Sequence, residues 1–161
     1  MKFTTSLDKL AKGITTAVTI LFIILTVVQF SLMEETGGLL TILTTGLIIL
    51  IYLIVFALRP IQYEVSAQQL IIQRQFGDVK IDRRQINSVE ILDKDQLSMS
   101  MRTFGVGGLF GYFGKFSNTK IGSMTWYATR RDKTVLVRTK DNKKIILTPD
   151  DPGKFVAQFK S

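Results

Sequence analysis

The chain of 161 residues contains no cysteine and no histidine, and only three prolines. Without cysteine there is no disulfide, no thiolate nucleophile and no thiolate metal site; without histidine there is no imidazole base and no imidazole ligand. These two absences exclude most catalytic mechanisms, and no cofactor or metal is expected. Charge is also missing over long stretches. Residues 1–58 hold three lysines and three acids, so the whole formal charge of +8 falls in residues 59–161. Two physically different objects share one chain.

From Gly13 to Met33 there are 21 residues without a charge, and from Thr36 to Leu58 another 23. At about 1.5 Å per residue, either run as a helix crosses a hydrocarbon core of about 30 Å. Only Glu34 and Glu35 separate them, so the two spans are expected as an antiparallel transmembrane hairpin covering 13–58. A cleaved signal peptide has a shorter apolar region and an A-x-A-like site, which Ser31-Leu32-Met33-Glu34 does not offer. Lys2, Lys9 and Lys12 precede the first span, Arg59 follows the second, and the connection carries acids alone. The positive-inside rule then places both termini in the cytoplasm, in a multi-pass protein of the inner membrane.

Gln29 is the one strongly polar side chain within the spans. Transport needs ionisable groups at membrane depth, and none is there. Thr15 and Thr19, and Gly37, Thr41 and Thr45, recur at helical spacing and permit close helix approach, either within the hairpin or with a second copy. In the N-terminal segment 1–12, Phe3, Leu7 and Leu10 continue to Ile14 as one apolar stripe among lysines, the pattern of a short interfacial helix.

Arg59-Pro60 closes the second span with a cation and a helix breaker. Beyond it seven short segments alternate or run apolar between turn residues: 61–65, 70–76, 79–81, 86–92, 121–129, 134–138 and 144–147. Such spacing predicts an all-β barrel or sandwich over 59–161. Asp150-Asp151-Pro152 then supplies a helix N-cap and first-turn proline, followed by the apolar face Phe155, Val156 and Phe159.

Three segments carry a family resemblance: Arg102-Thr103-Phe104-Gly105-Val106-Gly107-Gly108-Leu109-Phe110-Gly111-Tyr112-Phe113-Gly114, then Thr125-Trp126-Tyr127-Ala128-Thr129, then Thr148-Pro149-Asp150-Asp151-Pro152-Gly153-Lys154-Phe155. Residues 61–161 resemble the bacterial pleckstrin-homology-like (PH-like) domains that follow a short membrane anchor. The resemblance implies a partly open barrel of seven antiparallel strands in two bent sheets, plugged at one end by the C-terminal helix. It also implies membrane-attached binding or scaffolding. Phosphoinositide-binding members of the wider superfamily carry a basic cluster at the first hairpin; here that turn is Ser66-Ala67-Gln68-Gln69, with Arg74 the nearest cation.

The segment from Asp93 to Lys120 is the least ordinary. Gly105, Gly108, Gly111 and Gly114 recur every third residue, and Phe104, Phe110, Phe113 and Phe116 keep the same period. This glycine density excludes a stable helix, and the reading is an Ω-like loop. Its rings either pack on the barrel or meet a bilayer interface or a protein partner. Phe104, Phe110, Tyr112, Phe113, Lys115 and Phe116 are therefore the candidate contact loop. Gly114-Lys115 is followed by Phe116, so the Ser/Thr of a phosphate loop is absent.

Arg59, Arg83, Arg84, Arg130 and Arg131 are the candidate contacts to anionic lipid, since each cation near a charged leaflet contributes about 1 kcal/mol. Nucleic acid is not expected as a partner, because no nucleic-acid motif accompanies the charge. The acids Glu64, Glu90, Asp93 and Asp95 have the weak pairing typical of solvated carboxylates. The functional expectation is a non-enzymatic, membrane-anchored interaction module that binds a membrane surface or a protein partner. The alternatives are an accessory subunit of a membrane complex and a carboxylate-dependent enzyme. A membrane protein or a second copy of the chain is the other partner class beside the lipid bilayer.

Overall fold

The computed structural model describes residues 1–32 and 38–159; Glu34, Glu35 and Gly37, which entered the topology and packing arguments, lie outside the described residues. Two long helices come early in the chain, α1 (Lys9–Ser31) and α2 (Gly38–Leu58), both long and apolar enough to cross a membrane. Asp8 caps α1 by accepting a hydrogen bond from the Ala11 N–H at 2.7 Å. The helices pack through their small and polar residues. Thr19 and Tyr52 share a hydroxyl hydrogen bond of 2.7 Å, and Gln29 accepts from Thr45 at 2.8 Å while donating to Thr44 at 3.2 Å. Thr19, Thr41 and Thr45 thus pack within the pair, Thr15 instead meets the sheet domain, and the lone span amide has its partners on the facing helix.

The rest of the chain forms two sheets. The first has the order β1 (Lys2–Thr4), β2 (Pro60–Val65), β3 (Gln69–Arg74), β4 (Val79–Asp82). The second runs β5 (Ile86–Leu92), β9 (Thr134–Thr139), β10 (Lys144–Leu147), β8 (Gly122–Ala128), β7 (Gly111–Asn118), β6 (Met101–Gly108). The short helix α3 (Pro152–Ala157) closes the domain, with Asp151 accepting from the Lys154 N–H at 3.0 Å.

Each of the seven expected segments is a strand, but three further strands accompany them among the described residues, so the count of seven is corrected to ten. The first addition is β1, and it replaces the expected interfacial helix at the N-terminus: Phe3 pairs with Tyr63 across an antiparallel ladder and its ring meets Phe155 edge-on at 5.1 Å. The other two are β6 and β7, which turn the expected Ω-like loop into a long hairpin. The antiparallel expectation also needs correction, because β10 runs parallel to β8. The reason is topological: β10 inserts between β9 and β8, which run in opposite directions, so a strand antiparallel to β9 has to run parallel to β8.

Period-two alternation in the second sheet feeds two cores. Val135, Val137, Ile145 and Leu147 face the first sheet and α3, where Phe3, Tyr63, Leu70, Ile72 and Phe155 are buried. Leu136, Ile146, Met124 and Trp126 face the other way, onto Tyr112, Phe116, Leu97 and the first turn of α1 at Ala11. A strand buried on both faces reads as an unbroken apolar run, which is why Thr134-Val135-Leu136-Val137 shows no alternation. A hydroxyl cluster ties the segment before α1 to the sheets: Thr5 donates to the Thr148 carbonyl at 2.6 Å, and Tyr63 donates to the Tyr127 carbonyl at 2.6 Å.

Candidate functional site

The β6–β7 hairpin makes the joint between the sheets and the helices. Gly105 pairs with Gly114 across it, and both have positive φ, 109° and 120°. A Cβ on Gly105 would stand 2.3 Å from the Phe113 carbonyl oxygen, so the glycines are required by close backbone approach as well as by conformation. The hairpin tip is the two-residue turn Leu109-Phe110 between Gly108 and Gly111. Phe110 sits at φ 56°, a conformation costly for an aromatic residue, and its surroundings hold it there. Its N–H donates to the Thr15 hydroxyl at 2.9 Å, and its ring packs edge-on against Tyr52 at 5.2 Å and Phe56 at 5.3 Å. The Arg59 guanidinium lies over the Phe56 ring at 4.2 Å and near that of Phe110 at 5.7 Å.

The six residues of the candidate contact loop therefore separate. Tyr112, Phe113 and Phe116 are buried, with Phe116 stacked on Trp126 at 4.6 Å, and Phe110 is buried at the joint. Phe104 remains 78% exposed, and Lys115 is exposed while donating to the Thr125 hydroxyl at 2.8 Å. Tyr112 donates to both Asp8 carboxylate oxygens at 3.3 Å, beneath the Arg131 guanidinium at 4.7 Å. Burial, reinforced by the Asp8 charge, pushes the Tyr112 hydroxyl up to about 12.

The arginines separate in the same way. Arg130 makes a bidentate pair with Asp132 at 2.6 and 2.8 Å and a further bond to Asp150 at 3.1 Å. Burial opposes the charge on Asp150, but bonds from Ser6 and Thr4, with Arg130 behind them, hold its carboxyl below the usual range. Arg83 donates to the Ser66 and Gln158 carbonyls and covers the Phe159 ring at 5.0 Å. These two stitch the domain together. Arg84 and Arg131 are exposed, and Arg59 belongs to the joint.

A feature the sequence reading missed is a cleft of about 720 Å³ between β3–β4, the β6–β7 hairpin and the last turns of α2. Phe104, Val106 and Phe113 line it together with Ile54, Val55 and Leu58 of α2. Arg74, Lys80, Lys115 and Lys143 also line it, against the single acid Asp141. These cations lie on four different strands or turns, so no local sequence run announces them. A smaller pocket of about 330 Å³ beside Asp8, Trp126 and Arg131 contains no such apolar wall, although the Trp126 Nε1–H is buried without a partner among the described residues.

The acids singled out from the sequence are not gathered. Glu64 accepts from Gln73 at 2.9 Å, Glu90 pairs with Arg138 at 3.2 Å, and Asp93 and Asp95 flank a single exposed turn. Among the described residues no group of three or more acids could hold a metal.

A family model described as Bacterial PH domain matches residues 61–161, which take in β3 to β10, all but the first residue of β2, and α3. No curated protein and no solved structure matches the chain. With two facing sheets, a closing C-terminal helix and a family match over more than half its length, the chain belongs to the bacterial PH domain family.

Proposed function

We propose that this protein is a membrane-anchored binding module without catalytic activity, its PH domain held on the cytoplasmic face of the inner membrane by the α1–α2 hairpin. The observation that carries the reading is the ladder between β1 and β2. Residues 2–4 and 60–65 share one sheet, so the chain between them has to leave and return to the same side of any membrane it crosses. Two apolar helices do that, and the excess of basic residues on the β side agrees with a cytoplasmic location. The joint supports a fixed rather than tethered domain: the Thr15 hydroxyl takes up the Phe110 N–H at the hairpin tip, a polar group that hydrocarbon could not satisfy. The family match favours binding over chemistry, and among the described residues Glu64 and Glu90 are engaged separately, by Gln73 and Arg138.

Because the chain has no cysteine, single-cysteine labelling tests the topology cleanly. Thr36→Cys is expected to react with a membrane-impermeant maleimide in intact cells, and Lys154→Cys only after permeabilisation. Labelling of Lys154→Cys in intact cells would overturn the reading. Crosslinking in native membranes then separates the roles: recovery of lipid alone supports a lipid-facing module, and a stoichiometric protein partner supports a subunit of a complex.

A further inference from the structure

The cleft between the two sheets is lined by two sets of side chains of opposite character. One wall is the last two turns of α2, where Ile54, Val55 and Leu58 continue the apolar surface of the helix, with Phe104 exposed beside them. The β3–β4 turn closes over that helix end, Phe76 donating its N–H to the Ala57 carbonyl at 2.9 Å. The sheets and their turns contribute Arg74, Lys80, Lys115 and Lys143 to the same lining. The one acid of the lining, Asp141, is already neutralised by Lys143 at 2.7 Å, and the Lys80 side chain makes no hydrogen bond or ion pair among the described residues.

We infer that this cleft binds one anionic phospholipid, its phosphate among Lys80, Lys115, Arg74 and Lys143 and its acyl chains descending along Ile54, Val55 and Leu58. The inference rests on the membrane-anchored reading above, since the lipid reaches the cleft from the leaflet around α2. An amphiphile is the occupant that answers both sets of side chains at once. A soluble anion would leave the apolar wall uncovered, and a neutral lipid would leave four cations facing one acid. The volume of about 720 Å³ holds a glycerophosphate headgroup and the first part of its chains. Of its cations, Arg74 stands at the end of β3 opposite the Ser66–Gln69 turn that begins this strand, and Lys80 stands on β4 opposite Ile71.

The test uses the full chain reconstituted in nanodiscs of phosphatidylcholine and phosphatidylglycerol in equal parts, then extracted in mild detergent. Retained lipid per chain is counted by native mass spectrometry. The wild type is expected to keep phosphatidylglycerol in preference to phosphatidylcholine, and Lys80→Gln with Lys115→Gln to weaken that preference about tenfold. Lys120→Gln with Lys154→Gln removes the same charge at exposed positions outside the cleft and should leave it unchanged. Equal loss in both double variants, no preference in the wild type, or displacement of the lipid by glycerol phosphate alone would overturn the site. Carbonate extraction of the same membranes separates the layers of the argument. A chain that resists extraction but shows no preference refutes the cleft only, whereas a chain washed off refutes the anchored reading and the cleft with it.

Discussion

The two helices and the sheet domain are built inside out with respect to each other. In α2 the buried residues are Thr41 and Thr45, at 3% and 6% exposure, while Leu39 and Leu43 stand outside at 73% and 61%. In the sheets, Tyr63, Leu70, Ile72 and Trp126 are inside and the charged residues outside. A helix that turns leucine outward and threonine inward suits a hydrocarbon solvent, where helix association relies on close packing and hydrogen bonds rather than on apolar burial. The sheet domain relies on the hydrophobic effect of water. In the membrane-anchored reading proposed above, the joint at Phe110 is where the two solvents meet, and there the ring meets Tyr52, Phe56 and the Arg59 cation together.

The largest effect that sharpens this contrast lies in the water-built half. Phe155→Ala should cost roughly 3–5 kcal/mol, because the ring is fully enclosed by Phe3, Tyr63 and Phe159. Trp126, the single tryptophan, reports the unfolding of the full chain by fluorescence. At the joint, Gly105→Ala should cost about 1–3 kcal/mol, since the added methyl meets the Phe113 carbonyl and the positive φ is strained. The same denaturation experiment measures it, and a neutral outcome would show that the hairpin is looser than its backbone contacts demand.

Within the helices the rule reverses. Gln29→Leu makes α1 more apolar, yet it should weaken helix pairing by about 0.6–1.7 kcal/mol through loss of the bonds to Thr44 and Thr45. Leu43→Ala, on the outer face, should leave pairing unchanged, because lipid fills the space it vacates. Förster transfer between labelled helices in bilayers reads both, and a larger loss from Leu43→Ala would contradict the inside-out assignment.

The smallest effect appears only in alkali. Folded Tyr112 keeps its proton up to about pH 12, whereas an unfolded tyrosine releases it near about 10, so between these values the unfolded state binds fewer protons and stability falls as pH rises. Tyr63, also raised by burial, adds to the same slope. Denaturation midpoints followed from pH 9 to 12 should therefore fall less steeply in Tyr112→Phe than in the wild type.

Much of the fold was legible because it is written locally. Two uncharged runs gave the helices, alternation gave seven strands, and Asp151-Pro152 marked the start of α3. What escaped depends on partners distant in the chain. The strand β1 has three residues, too few for a period, and exists through pairing with residues about sixty positions away. In β6–β7 the glycines mimic a loop, because their positive φ values bend a hairpin that alternation cannot reveal. Parallel pairing of β10 follows from insertion order, which no local pattern encodes. For the site, the aromatic segment lies in the hairpin that joins the sheets to the helices, yet Tyr112 and Phe116 spend their rings on the core and Phe113 lines the cleft. The cleft cations are invisible in sequence because Arg74, Lys80, Lys115 and Lys143 converge only in the fold.

The shared sheet of β1 and β2 is the central claim, because it forces the chain to leave and return on one side. Lys2 stands opposite Glu64 in that ladder, at a Cα separation of about 4.5–5.5 Å, which a disulfide spans without backbone movement. In a chain otherwise free of cysteine, Lys2→Cys with Glu64→Cys, oxidised in native membranes, is the direct measurement. Near-complete intramolecular crosslinking, read by mass spectrometry, is the result predicted here. Free thiols at both positions after oxidation would separate the N-terminal strand from the PH domain and contradict the account.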